Sequence, residues 1–183
     1  MKQKRAERIM EALKEMGLRQ MLIVDPMSIY YLTGVYVEPF ERFYALYLRE
    51  DGNHVYFLNK LFTVPEDVGV EKVWYSDTDP AAEIVAGYLD KESPLGVDKD
   101  LKARFLLPLM EMKAAAGFVN SSIAVDRTRG VKDEEEQDKM RTASDINDKA
   151  MAVFKTLIHE GVTERQVADQ MLKIYMDLGA DGF

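Results

Sequence analysis

Cysteine is absent from the 183 residues, which excludes disulfides, thiolate metal sites and a cysteine nucleophile at once. Histidine is nearly absent too: only His54 and His159 are available for ligation or general-base work. No apolar run approaches the roughly 18 to 20 residues that span a bilayer. The opening MKQKRAERIM lacks the apolar block of a secretory signal, and Glu7 and Glu11 interrupt its basic residues as a mitochondrial presequence would not. Positive charge is in short supply, with 24 Lys and Arg against 32 Asp and Glu and a formal net charge of -8. Such a balance opposes a phosphate backbone, whose binding needs clustered cations. HExxH, GxSxG, GxxxxGK and GxGxxG are all missing, so the familiar zinc-protease, hydrolase, P-loop and dinucleotide signatures are not there. What is present is 47% apolar and 31% charged residues, enough for a real core without any low-complexity tract. The expectation is a soluble cytoplasmic protein that meets neither nucleic acid nor a membrane.

Local patterns then divide the chain. Ala6, Ile9, Met10, Leu13 and Met16 recur at helical spacing before Gly17, which predicts an amphipathic helix with a C-terminal glycine. MLIVD (21–25) is a continuous apolar run, the pattern of a strand covered on both faces. Asp25 and Pro26 form a helix start and Gly34 a stop over SIYYLT. FYALYLR (43–49) and HVYFLN (54–59) flank Asp51-Gly52-Asn53, a β-hairpin. VEKVWYS (70–76) reads as a strand, Asp79-Pro80 as a helix start before AAEIVAGYL, LGVD (95–98) as a strand, and 101–114 as a helix kinked or broken at Pro108. FVNSSIAV (118–125) is the last strand expected. Strand and helix therefore alternate over 1–125, which predicts an α/β fold with a mixed sheet and helices on both faces.

From 126 onward the pattern is helical only. Asp133 with Glu136, and Thr163 with Gln166, are spaced as capping boxes. Met140, Ala143, Ile146, Ala150, Phe154 and Leu157 continue one apolar stripe to Gly161, and Val167, Met171, Ile174 and Leu178 line a second helix. Two helices totalling some 45 residues are too few to bury both stripes against each other. They belong against something larger, so a domain boundary is expected near 126. The acidic run Asp133-Glu134-Glu135-Glu136 reads as a capped, solvated turn, because a hard-cation site needs oxygens that converge from separate turns or strands. Each histidine reads as structural or solvated, His159 near a helix C-terminus having a sufficient reason in the dipole. The loop VYVEPFER (35–42) gathers Tyr36, Glu38, Phe40 and Arg42 around a proline, and such loops carry binding groups on many scaffolds.

Several stretches taken in order resemble the creatinase, prolidase and aminopeptidase P family, the pita-bread metallopeptidases. They are DPMSIYYLTG (25–34), ERFYALYL (41–48), RGVKDEEEQDKMRTASDINDKAM (129–151), HEGVTERQVADQM (159–171) and LGADGF (178–183). The first is similar to the N-x-x-Y-L-T-G turn of the family's amino-terminal domain. The later ones are similar to the R-x-x-K-x-x-x-E, D-x-A-M and E-G-x-T-E patterns that open its catalytic domain.

The resemblance implies that 1–125 is a creatinase-type, ribonuclease H-like amino-terminal domain and that 126–183 is the first two helices of a truncated pita-bread domain. In the family the following sheet brings two aspartates, a histidine and two glutamates to a pair of divalent metals (Mn, Co or Zn), which ready a bridging hydroxide to attack a peptide carbonyl. None of these positions is matched here, so no catalytic residue and no metal ligand is assigned, and no cofactor is expected in this chain. Gly179 would end the last helix and Ala-Asp-Gly-Phe would lead into a strand beyond Phe183. The resemblance further implies a homodimer, a proline-containing peptide substrate for the full-length parent, and a loop 35–42 whose Tyr36, Phe40 and Arg42 rim the partner's substrate pocket. A hairpin-flanking salt bridge with aromatic packing is the alternative for that loop. For the parent, the alternatives are a creatinase-like amidinohydrolase without the metal pair and a non-catalytic pita-bread module that binds a basic protein.

Overall fold

In a computed structural model that describes residues 1–181, the chain divides into two compact units, Met1–Gly130 and Val131–Phe183. The first unit is built on six strands in the order β4-β3-β2-β1-β5-β6. These are β1 (Gln20–Ile23), β2 (Ala45–Arg49), β3 (Val55–Asn59), β4 (Glu71–Tyr75), β5 (Leu95–Val97) and β6 (Phe118–Asn120). The sheet is mixed: β2 runs antiparallel to both β1 and β3, while β3–β4, β1–β5 and β5–β6 are parallel pairs. The helices of this unit are α1 (Gln3–Glu15), α2 (Pro26–Thr33), α3 (Ala81–Ala86), α4 (Ala103–Glu111) and α5 (Ser122–Gly130).

Side-chain alternation along the strands sorts the interior into two cores. Met21, Ile23, Leu46, Leu48, Tyr56 and Leu58 point to one face and meet Ile9, Leu13, Ile29, Leu32 and Val125 from α1, α2 and α5. Leu22, Ala45, Tyr47, Val55 and Phe57 point to the other and meet Val85, Leu89 and Leu109 around α3 and α4. Helices thus cover both faces, as the unbroken apolar run at 21–24 requires. Each fully buried Leu or Ile in this arrangement contributes about 2 to 3 kcal/mol by leaving water.

Local chemistry accounts for most boundaries. Asp25 caps α2 by accepting from Met27 N and Ser28 N, and Gly34 ends it in the left-handed region at φ 75° with its N–H on the Tyr30 carbonyl. His54 is buried behind the hairpin, where its Nδ1 accepts from Arg49 N at 3.1 Å.

Three local readings are corrected. Strand β6 stops at Asn120, whose side chain accepts from Ser122 N at 3.2 Å, and the following residues wind into α5 instead of extending the strand to Val125. There, α5 buries Ala124, Val125 and Thr128, and Arg129 reaches across to Ser28 Oγ at 3.2 Å. Of the kink or break expected at Pro108, the break does not occur, because α4 continues through the proline to Glu111. Asp79 does not cap α3; its carboxylate turns back to accept from Ser76 N and Oγ at 2.6 and 2.7 Å.

Burial holds the His54 imidazole below its ordinary pKa of 6.5, with nearby Asp51 opposing and Arg49 adding to the depression. Protonation is therefore easier in the unfolded chain. The associated stability is complete above pH 6.5 and is lost as pH falls through the folded pKa, at no more than about 1.4 kcal/mol per pH unit for one proton. Asp51, Asp77, Asp79 and Asp90 are depressed from 3.8 and act in a lower window. Urea unfolding of His54→Asn, compared with the parent sequence between pH 5 and 7, is expected to remove that slope; an unchanged slope would assign it elsewhere.

The second unit is a helical hairpin of α6 (Glu134–Leu157) and α7 (Glu164–Asp177). Both expected capping boxes are formed. Asp133 accepts from Glu136 N while Glu136 accepts from Asp133 N, and Thr163 and Gln166 repeat the exchange. Across the hairpin Tyr175 OH donates to Asn147 Oδ1 at 2.7 Å. Gly179, at φ 93°, follows α7, and Ala180 N returns to the Tyr175 carbonyl at 2.9 Å. The expected lead into a strand falls on Gly182 and Phe183, which lie outside the described residues. Among the described residues no helix is long and apolar enough to cross a membrane.

Candidate functional site

The segment 35–42 connects α2 to β2, and its anchors are legible residue by residue. Thr33 Oγ1 accepts from Val35 N at 3.1 Å and fixes the exit from α2. Val37 is buried and holds the middle of the loop to the core. Tyr36 and Phe40, by contrast, are 53% and 69% exposed. Tyr36 OH donates to Glu38 Oε2 at 2.9 Å, and Glu38 raises the phenol pKa above its ordinary value. Phe40 has φ 50°, a left-handed conformation that a bulky side chain adopts only under constraint. The constraint is visible: Lys102 Nζ donates to the Phe40 carbonyl, and Arg42 N to the Pro39 carbonyl at 2.9 Å.

Arg42 is the most firmly held of the three. Its Nε and Nη2 donate to the two carboxylate oxygens of Asp77 at 2.8 and 2.7 Å, a bidentate pairing, and Nη1 lies 3.1 Å from Glu41. Asp77 Oδ1 also accepts from Asn59 Nδ2 at 2.8 Å. The bond from Arg42 is the main reason the Asp77 carboxyl sits below its ordinary pKa. Asn59 is fully buried at the end of β3. Loop 35–42 is thus clamped to β3 and to the turn after β4.

Arg42 lines a cleft of about 600 Å³ between that turn, α3 and α4, whereas Tyr36 and Phe40 stand outside it. Sequence reasoning did not find Asp77, Asn59 or Lys102. Asp77 is 35 residues from Arg42 and Lys102 is 62 from Phe40, and no local pattern signals a partner at that range.

His159 is exposed, with Nδ1 3.0 Å from the Glu160 carbonyl. Among the described residues no three His, Asp or Glu side chains converge as metal donors. The acidic turn at 133–136 is used for capping.

Residues 5–131 match the model of the creatinase/prolidase N-terminal domain. The chain belongs to this family. An uncharacterized peptidase of Staphylococcus aureus (strain MSSA476) is 34% identical over 167 residues, covering 84% of this chain and 45% of that protein. In fold, the chain is similar to a prolidase from Thermococcus sibiricus, with TM-score 0.83 and 22% identity over 100% of this chain and 52% of that one. It is also similar to the creatinase/prolidase N-terminal domain of an X-Pro dipeptidase from Streptococcus pyogenes, with TM-score 0.57 and 21% identity, over 69% of this chain and 98% of that one. The chain therefore spans about half the length of the curated relatives it matches. The creatinase/prolidase N-terminal domain proper corresponds to the first unit, with its six-stranded mixed sheet and clamped 35–42 loop.

Proposed function

We propose that this chain is the amino-terminal part of a metal-dependent exopeptidase that cleaves Xaa-Pro bonds, and that α6 and α7 open its catalytic domain. The observation that carries the proposal is the pairing of a creatinase/prolidase N-terminal domain with a helical hairpin that bears an apolar hollow of about 520 Å³ on its own surface. Relatives carrying the name peptidase, twice as long as this chain, support the same reading. The parent works in the cytoplasm as a homodimer, in which the 35–42 loop approaches the partner's substrate pocket. The exposure of Tyr36 and Phe40 and the rigid seating of Arg42 suit that role.

Two divalent metals supply the activated hydroxide in such an enzyme. The donors in this chain do not fit them, because no carboxylate or imidazole set converges among the described residues. No residue here is assigned as a ligand. The chain contributes the scaffold, the dimer contact and the rim of the pocket.

The test compares the full-length parent with the 183-residue chain. The parent is expected to hydrolyse Xaa-Pro dipeptides with Mn or Co, and the chain to show neither cleavage nor stoichiometric metal binding by calorimetry. Tight metal binding by the chain, or a full-length enzyme indifferent to proline, would sink the proposal. In the same assay Arg42→Ala is expected to raise KM while shifting the unfolding temperature little, since exposed ion pairs contribute weakly. A lowered unfolding temperature with unchanged KM would make the Arg42–Asp77 pair purely structural.

A further inference from the structure

The cleft between α3 and α4 holds charges that the fold does not use. Of its acidic groups, Glu41 and Asp77 are engaged by Arg42, and Asp79 by Ser76. Arg104 and Glu111, both on α4 and both lining the cleft, form no hydrogen bond or ion pair among the described residues. The Arg104 guanidinium instead lies 4.6 Å from the centroid of the Phe105 ring. Seven residues of helix separate the two α-carbons by roughly 10 Å along the axis, too far for them to pair comfortably with each other. Between them the α4 wall presents Phe105 and Pro108, Met112 follows just past Glu111, and Pro80 faces the wall from the start of α3. The cleft is thus a trough with an apolar floor, a free cation and a free anion at the two ends of its α4 wall, and a second free carboxylate, Glu83, on the facing wall. The helix axis is oriented the same way, its positive end near Arg104 and its negative end at Glu111.

We propose that this cleft binds a short zwitterionic peptide, with the α-carboxylate at Arg104, the α-ammonium at Glu111 and apolar side chains over Phe105, Pro108 and Met112. Two or three extended residues separate their terminal charges by about 6 to 10 Å, comparable to the roughly 10 Å of helix rise between the Arg104 and Glu111 α-carbons. A longer peptide would overrun one end, and a blocked peptide would lose one of its two charge-assisted contacts. The site lies wholly in the first unit. It stands or falls independently of whether the parent cleaves Xaa-Pro bonds.

The probe is leucyl-leucine, titrated into the 183-residue chain and followed by NMR backbone shifts, with N-acetyl-leucyl-leucine and leucyl-leucine amide as controls. Saturable shifts confined to α3, α4 and the 76–80 turn are expected, and each blocked control is expected to bind about three- to tenfold more weakly. Arg104→Ala should abolish discrimination against the amide, and Glu111→Ala that against the acetylated peptide. Both side chains are exposed, so unchanged far-ultraviolet dichroism will show that the variants fold. Absence of saturation at millimolar peptide, or discrimination that survives both substitutions, overturns the proposal. A response to Glu83→Ala in place of Glu111→Ala, Glu83 being the uncommitted carboxylate on the facing wall, overturns the assignment of the ammonium.

Discussion

Gln20→Leu is expected to destabilise the first unit by about 3 to 5 kcal/mol, although leucine is apolar, of similar size and placed in a buried strand. Gln20 is 2% exposed, and its amide serves four partners. Nε2 donates to the carbonyls of Asp90 and Ser93 at 2.7 and 3.0 Å, while Oε1 accepts from Tyr47 OH at 2.5 Å and Asp90 N at 3.0 Å. One side chain thereby closes the loop that leads into β5 onto the start of β1. Leucine would leave the Ser93 carbonyl and the Tyr47 hydroxyl buried without partners, each at about 1 to 3 kcal/mol, and would release the two part-buried backbone groups of Asp90 to water. Burial has already pushed the Tyr47 phenol up to about 12, so it cannot escape by ionising. Tyr47→Phe removes a single donor and leaves Asp90 N on the Gln20 oxygen, so its expected loss is only about 1 kcal/mol. Urea denaturation of both variants checks the ordering. If Gln20→Leu falls no further than Tyr47→Phe, the network is not what ties this loop down.

Ending the chain after Gly130 is expected to leave a folded domain and to remove the self-association that the exposed helical hairpin should drive in the 183-residue chain. Met151, Ile158, Leu172 and Met176 in the helical hairpin are 40 to 59% exposed. Residues including Phe154, Ile158, Val167 and Met171 line an apolar hollow of about 520 Å³. Exposed apolar surface of this extent drives association. A second copy of the same hairpin offers a matching apolar face as cover. The first unit has both of its cores complete within Met1–Gly130, and the Streptococcus pyogenes structure is a solved domain of matching extent. Sedimentation velocity over a concentration series distinguishes the outcomes. A monomeric 183-residue chain would show that the hairpin covers its own face, and an unfolded 1–130 fragment would show that the two units need each other.

Much of this architecture was readable residue by residue wherever the determinants are local. Asp25, Pro26 and Gly34 delimit α2 by capping chemistry alone, and the two capping boxes start α6 and α7 at the expected residues. The alternation of Val55, Tyr56, Phe57 and Leu58 between two cores follows from strand geometry. The failures fall where a distant partner decides. FVNSSIAV is rich in β-branched residues, yet its second half becomes helix because Asn120 takes the Ser122 N–H and Arg129 finds Ser28, 101 residues away. Asp79 precedes a proline like a helix cap but bonds backwards to Ser76. At the candidate site, the exposure of Tyr36 and Phe40 agrees with a loop reading. The Arg42–Asp77 clamp, the strained Phe40 backbone and the Arg104–Glu111 trough depend on tertiary placement that spacing along the chain does not encode.

The helical hairpin has a consequence for the order of events during biosynthesis. Each of its helices carries its own start signal, and ion pairs one turn apart, Glu135–Lys139 and Asp145–Lys149, brace α6 from within. All of these contacts are short in sequence, so the hairpin can assemble on the microsecond scale of local structure. The six-stranded sheet, which must join β1 to β5 across more than 70 residues, is the slower element. On a ribosome the hairpin would therefore pair its helices within microseconds of emerging, without waiting for the slower sheet translated before it.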